Sequence, residues 1–399
     1  MPLLFLLIIL WLIYLLLEAY LNRKYLASFR AVIHVNGIRG KTSTCRAIDA
    51  ALRTRYRVFT KTTGTDAAMI DVLGKEHPVR RLGPANIHEQ LRTIRRAHKE
   101  GAEILILECM AVNPVLQKTA QEQIVRGSIC VITNVRYDHV FEMGDTKEEI
   151  ASALSAVIPE HGVLVTADPL GESYFGDTCR RKGTELVLCV PGENEAGTAA
   201  ENELIARAVS RRLGVTEEEF LRSRSRVQED FGVRRIYDVT TSEGIPCRFL
   251  NLFSANDPES TYTNLEDALG RMNLEDALGR LKKLPADSPG ENPAGVSLVF
   301  LYNHRADRPD RALLFARHFI PQYPGVPVYL SGEGAALAGR MFRKAGAGDV
   351  RVLGKQDVTD LNIPGLLPGT LIAGIGNIKG PAFDLLLKLE KTKGNSEDE

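Results

Sequence analysis

From residue 31 onward, short apolar runs alternate with longer stretches in which apolar residues recur at helical spacing. The short runs predict strands at Ala31–Val35, Arg57–Thr60, Glu103–Leu107, Ile129–Thr133, Gly162–Thr166 and Glu185–Val190. The amphipathic stretches predict helices at Thr42–Arg53, Ile87–Glu100, Lys147–Ile158 and Asn202–Leu213. Strands that alternate with helices in this way form a parallel sheet with helices on its faces. A second series begins near Arg235, with strands expected at 235–240, 246–252, 296–302, 326–330 and 369–374. The polar stretch Thr216–Gly232 is read as the domain junction, and the polar end from Lys391 as a frayed tail.

Two features break the pattern. Residues Met1–Leu17 carry no charge, and Glu18 is the first ionisable side chain. Those residues span about 25 Å as a helix, and extending through Leu21 reaches the ~20 residues that cross a bilayer. Tyr20 and Tyr25 suit the interface, and the positive charges at Arg23, Lys24 and Arg30 all follow the apolar run. The positive-inside rule then puts the N-terminus outside and the rest in the cytoplasm. A cleaved signal is the alternative, but a basic n-region and an A-x-A site are missing. The second feature is a repeat: NLEDALGR occupies Asn264–Arg271 and recurs at Asn273–Arg280. Nine residues are two and a half helical turns, so in one straight helix the copies face opposite sides. A local duplication with a bulge or break near Gly270 is expected.

Composition narrows the class. Among 399 residues, 50 Lys plus Arg balance 50 Asp plus Glu, so nothing points to a nucleic-acid partner. Hydrophobic residues at 44 % and charged residues at 25 % are those of folded domains, and the length suits two of them. The six cysteines include no C-x-x-C pair, which argues against a zinc site or disulfide framework and fits a reducing compartment.

The segment AVIHVNGIRGKTSTCRAIDA reads as strand, glycine loop, helix. Gly37 and Gly40 allow a tight turn and close backbone approach, Lys41 can reach terminal phosphates, and Thr42 can ligand Mg²⁺. Gly37, Ile38, Arg39, Gly40, Lys41, Thr42 and Ser43 are therefore candidates for nucleotide binding. The full Walker spacing would need glycine where Val35 stands, so only the shorter G-x-x-G-K-T is present. Two further strand ends are polar: Glu108 closes EILILE, and Asn134, Asp138 and His139 follow SICVITN. Open sheets bind ligands at this edge. If the strands are neighbours, Thr42, Glu108 and His139 converge on one metal. The alternatives are a solvated strand-end carboxylate for Glu108 and a helix-cap or packing role for His139.

The combination NGIRGKTST, LECMAVNP and TNVRYDHVFEMG closely resembles the Mur ligase superfamily of ATP-dependent amide ligases. Still closer is the family of catalytic B subunits of bacterial poly-γ-glutamate (capsule) synthase. KTTGTDAAMI, GPANIHEQ, FSANDPEST, NHRADRPDR, GIGNIKG and the N-terminal anchor all resemble that family. The resemblance implies a P-loop-containing, Mur-ligase-like central α/β domain with a parallel-rich sheet. A smaller Rossmann-like α/β domain would follow, with a transmembrane helix in front. The expected boundaries are 1–22 for the anchor, 23–225, 226–390, and 391–399 for the tail.

The resemblance also implies ATP and Mg²⁺, with Lys41, Glu108, His139 and Arg235 catalytic and Thr42, Glu108 and His139 on the metal. Asn202 would lie by the adenine, Arg235 would reach phosphate, and Asp257 would lie near the ribose; each of these three has a surface or turn role as its alternative. Thr63, Thr65, Asp66, Asn86, Arg305 and Arg308 are candidates for the substrate. The arginines would grip α-carboxylates, unless Asp307 and Asp310 tie them into a structural network.

Two departures from the Mur pattern stand out: no sugar-nucleotide domain precedes the loop, and EEIASALSAVIPEHG lacks the lysine that Mur ligases carbamylate. The expected function is a membrane-anchored ligase that activates a carboxylate as an acyl phosphate and extends a glutamate polymer. Membrane-embedded and accessory synthase subunits would be its partners. The alternatives are a Mur- or folyl-type ligase for another acid or amino acid, and a non-catalytic ATP-binding assembly protein.

Overall fold

A computed structural model describes residues 2–64, 67–81, 83–192, 198–227, 234–272 and 297–397, with side chains to 391. It forms two compact units, Met1–Glu229 and Asp230–Glu399.

The first unit opens with α1 (Pro2–Leu26), an apolar helix long enough to cross a membrane. Its strands are β1 (Ala31–Asn36), β2 (Val58–Lys61), β3 (Ala68–Ile70), β4 (Glu76–Pro78), β5 (Ile104–Glu108), β6 (Ile129–Ile132), β7 (Val163–Thr166) and β8 (Glu185–Leu188). They run in the order β4-β3-β2-β5-β1-β6-β7-β8. All neighbours from β2 to β8 are parallel, and β2, β3 and β4 meander antiparallel at one edge. The helices are α2 (Lys41–Leu52), α3 (Glu89–Lys99), α4 (Pro114–Thr119), α5 (Val140–Met143), α6 (Lys147–Leu154), α7 (Gly171–Lys182), α8 (Thr198–Arg212) and α9 (Glu217–Ser223).

Side chains alternate across this sheet, as strand geometry requires. Along β5, Leu105 and Leu107 join a core with Ile94 of α3 and Leu154 of α6, while Ile104 and Ile106 join one with Ile48 of α2 and Val209 of α8. Glu108 continues the second set and so points to the side on which α2 begins. Since β1 lies between β5 and β6, the chain reverses direction along the sheet beside the glycine loop. That is the switch point where open α/β sheets place ligands.

The second unit contains β9 (Arg235–Thr240), β10 (Pro246–Asn251), β11 (Leu298–His304), β12 (Val328–Gly332), β13 (Val350–Val352) and β14 (Leu371–Gly376). Their order is β13-β12-β11-β14-β10-β9, with only β9 antiparallel to its neighbour among the described strands. Helices α10 (Pro258–Arg271), α11 (Pro309–Leu314), α12 (Ala335–Lys344), α13 (Lys355–Thr359) and α14 (Pro381–Glu397) connect and cover them. One core face stacks Phe300 edge-on against Phe319 and Tyr323, at centroid distances of 5.1 and 5.4 Å.

The division between the two units falls within 216–232, and in that stretch Thr216 caps α9 through a capping box with Glu219. Helix α14 runs on through the polar end from Lys391 to Glu397. The hairpin β3–β4 and the helices α4, α5 and α7 add to the expected series. Helix α10 ends at Arg271, one residue past Gly270, and the second NLEDALGR copy lies outside the described residues.

Phe300 is fully buried. Phe300→Ala is expected to cost about 3–5 kcal/mol, read as a lower urea midpoint at unchanged slope. An unchanged midpoint would show that this aromatic stack does not support the second unit.

Candidate active site

The glycine loop leaves β1 at the switch point, and each glycine answers a steric demand. Gly37 has φ +118°, and a Cβ there would lie 2.1 Å from the Thr133 Oγ1. Gly40 has φ +81°, and a Cβ there would lie 2.1 Å from the Asn202 Oδ1. Both positions therefore need glycine for conformation and for space. The Thr133 hydroxyl facing Gly37 is buried without a hydrogen-bond partner. The loop then feeds the first turn of α2, whose backbone N–H groups and dipole favour an anion.

The segment after β6 holds the loop in place. Asn134 Oδ1 accepts from the Arg39 amide at 3.0 Å, and its Nδ2 donates to Glu201 at 2.9 Å. The Arg39 guanidinium pairs with Asp138 at 2.6 Å. Arg136 pairs with the other oxygen of Glu201 at 2.6 Å, tying in α8. On α8, Asn202 Oδ1 accepts from Thr44 at 3.0 Å and packs on Gly40. Ile38 is buried in the core, and its amide donates to the Asn134 carbonyl at 3.3 Å.

Lys41 curls into the loop, its Nζ donating to the carbonyls of Gly37 at 2.7 Å and Ile38 at 3.3 Å. Burial pulls its ammonium below the usual lysine range, while the Glu108 charge acts the other way. Glu108 is 2 % exposed, so it is not a solvated strand end. One of its oxygens accepts from the Thr42 hydroxyl at 3.0 Å and from the Thr63 amide at 2.7 Å. The structure thus joins Thr42 and Glu108. His139 stands at the start of α5, with its Nε2 3.9 Å from Asp138 and its Nδ1 3.9 Å from Glu142.

The remaining expected residues have their own local settings. Arg235 donates to both Glu390 oxygens at 2.9 Å, and Tyr237 also donates to that carboxylate. Asp257 caps α10 by accepting from the Ser260 amide at 2.8 Å. Arg305 pairs with Asp307 and Arg308 with Asp310, each through two nitrogens. Asn86 forms a turn onto the His88 amide just before α3. Thr65 and Asp66 lie outside the described residues. Ser43 lies in the first turn of α2.

One residue that the motifs did not single out is Lys61, 1 % exposed at the end of β2. Its Nζ donates to Glu89 at 3.0 Å and Gln90 at 3.3 Å, and Gln90 donates to the Glu108 carbonyl at 3.1 Å. Burial lowers the Lys61 pKa, against the pull of Glu89. Nearby, burial pushes the Cys109 thiol up to about 11, which leaves no thiolate nucleophile there at neutral pH.

Residues 35–208 match the Mur ligase middle domain, and residues 236–392 match the poly-gamma-glutamate synthase CapB C-terminal domain. PGA synthase CapB of Bacillus subtilis (strain 168) is 30 % identical over 395 residues, covering 94 % of each chain. The chain belongs to the CapB family. A second relative of the CapB-family chain is the capsule biosynthesis protein CapB of Bacillus anthracis, 30 % identical over 92 % of this chain and 77 % of that protein. The CapB-family fold is also that of E. coli FolC in complex with ADP, at a TM-score of 0.57 and 16 % identity over 98 % of both chains.

A methyl group at Gly40 must displace the Asn202 carboxamide. Gly40→Ala should therefore lower stability by about 1–3 kcal/mol, and Asn202→Ala should recover part of that loss in a double-mutant cycle. An equal loss with and without the Asn202 side chain would show that the contact does not constrain the loop.

Proposed function

We propose that this CapB-family chain is an ATP-dependent ligase of poly-γ-glutamate synthesis, joining glutamate units to a growing chain. The observation that carries the reading is the buried Glu108 carboxylate, paired with Thr42 beside a glycine loop that accepts no Cβ. The site fits a phosphate and a cation on its own terms: a cradle closed to side chains, an orphaned hydroxyl at Thr133, and a carboxylate paired with a helix-start threonine. When bound, ATP turns a carboxylate oxygen into a phosphate leaving group that an amine can displace, and Mg²⁺ offsets the charge that gathers.

The chain supplies positioning and positive charge. The amides of Gly40, Lys41 and Thr42 and the α2 dipole would receive the phosphates, with Ser43 in the same turn, while the Ile38 and Arg39 amides stay on Asn134 and hold the loop's shape. Lys41 would shift from its loop carbonyls to phosphate oxygens, a short move for a flexible ammonium. Thr42 and Glu108 would hold the cation, with His139 as a further ligand. Among the described residues no three His, Cys, Asp or Glu side chains cluster to cage a metal. The remaining coordination would come from phosphate and water, as Mg²⁺ favours. Asn202, already packed on Gly40, would support the adenine side of the loop.

Thr63 lies next to Glu108 through its own amide, so Thr63, Thr65, Asp66 and Asn86 are proposed for the acyl substrate. In the second unit Arg308 is tied to a buried aspartate, whereas Arg305 pairs with the exposed Asp307 and is freer to exchange it for a substrate carboxylate. Arg235 and Asp257 are proposed for phosphate and ribose, supported by the family motifs that contain them. Helix α1 is proposed as a single-pass anchor with its N-terminus outside, because Arg23, Lys24 and Arg30 all follow its apolar run. The membrane-embedded and accessory subunits of the synthase are the proposed partners.

Lys41→Ala should cut glutamate-dependent phosphate release and polymer formation by roughly 10²-fold or more while leaving membrane insertion intact. Glu108→Gln should raise the Mg²⁺ concentration needed for half-maximal phosphate release. Release that is indifferent to glutamate, or unchanged in Lys41→Ala membranes, would contradict the reading.

A further inference from the structure

Helix α1 does not simply lead away from the first unit. Its last turns are docked: Asn22 Nδ2 donates to the Ile124 carbonyl at 2.8 Å, and the Tyr25 ring lies on His98 of α3 at 4.8 Å. Between the two helices is a cleft of about 260 Å³. Tyr14, Leu17 and Leu21 of α1 and Leu91 of α3 give it apolar walls, and Arg92 and Arg95 of α3 stand at its side. Glu18 also lines it, with its carboxylate taken by the Tyr14 hydroxyl at 3.1 Å.

The depth of this cleft follows from α1. Leu15, Leu16, Leu17 and Tyr20 are 37, 72, 52 and 63 % exposed, so the surface of α1 remains apolar at the level where its other side meets α3. In a membrane that stretch must lie in hydrocarbon or at its border, which carries Arg92 and Arg95 into the headgroup layer. Both arginines are exposed, and neither has an ion-pair or hydrogen-bond partner among the described residues. Lys99 extends the same exposed face of α3, and Arg23 and Lys24 add charge from α1.

We infer that this cleft is a binding site for an anionic phospholipid, its phosphate held by Arg92 and Arg95 and an acyl chain lying along α1. Guanidinium forks suit phosphate oxygens, and basic residues beside a membrane helix enrich acidic lipids. An apolar wall continuous with the cationic one selects an amphiphile over a purely polar polyanion. The site also touches the chemistry, because Glu89 and Gln90 in the first turn of α3 hold Lys61 and the Glu108 carbonyl. The inference rests on the proposed membrane insertion of α1.

The chain has one tryptophan, and Trp11 lies on the α1 face that carries Tyr14, Glu18, Leu21 and Tyr25, one turn deeper than the cleft. An acyl chain below the site would run past it. The full chain is reconstituted in phosphatidylcholine vesicles containing a minor fraction of lipid with brominated acyl chains, either phosphatidylglycerol or phosphatidylcholine. Brominated phosphatidylglycerol should quench Trp11 about twofold or more beyond the phosphatidylcholine control, as two basic residues at the surface would enrich it. The excess should vanish in Arg92→Gln/Arg95→Gln and survive in Arg92→Lys/Arg95→Lys. Equal quenching by the two lipids, or an excess that persists without the arginine charges, would overturn the inference. So would removal of the excess by added poly-γ-glutamate, which would assign the face to the polymer. Flotation with the vesicles separates the two readings: a chain that does not float refutes the anchor, and one that floats without lipid preference refutes this site alone.

Discussion

One buried carboxylate holds the glycine-loop edge of the first unit together. Glu108 ends a strand whose other residues are apolar, and it accepts at once from the first turn of α2 and from the loop after β2. Strand alternation leaves it no other direction: a shift of one residue in β5 would turn it toward α3 and bury it among leucines. The sheet register beside it is set in turn, with Val35 opposite Glu108 across β1 and β5. The position of the glycine-loop edge is thus a consequence of packing on both faces of the sheet.

That dependence explains what could be read from the residues alone. The glycine loop, Lys41, Thr42 and Glu108 were legible because each sits at a strand end or helix start, and local patterning locates those points. The partners of the loop were less so. Asn202 packs on Gly40 from a helix over 150 residues later, and Arg136 and Glu201 clamp the loop through a contact that only the fold creates. Lys61 meets Glu89 and Gln90 only because the fold brings the start of α3 to the end of β2. Asp257 carried its own signal: an aspartate before proline is a helix cap, and it caps α10. The paired spacing of Arg305 with Asp307 and Arg308 with Asp310 left two readings open, and the observed ion pairs engage all four side chains. The three-residue strands β3 and β4 were too short for periodicity to mark.

Helix α3 links two parts of the molecule. Its first turn braces Lys61 and Glu108, its buried face packs under the sheet, and its exposed face presents arginines beside α1. The docked end of α1 and the glycine-loop edge of the sheet therefore share one eleven-residue helix. Zero net charge over the whole chain conceals this local arrangement, in which cations are concentrated where a phosphate, a polyanion or a membrane surface would meet them.

In the proposed reaction a carboxylate becomes an acyl phosphate before the amide forms. Following oxygen tests it most directly. Membranes containing the synthase are given glutamate labelled with ¹⁸O in its γ-carboxylate, and the released inorganic phosphate is examined by ³¹P NMR. The account predicts that one labelled oxygen leaves with each phosphate released during polymer synthesis. Polymer formed with unlabelled phosphate would contradict it.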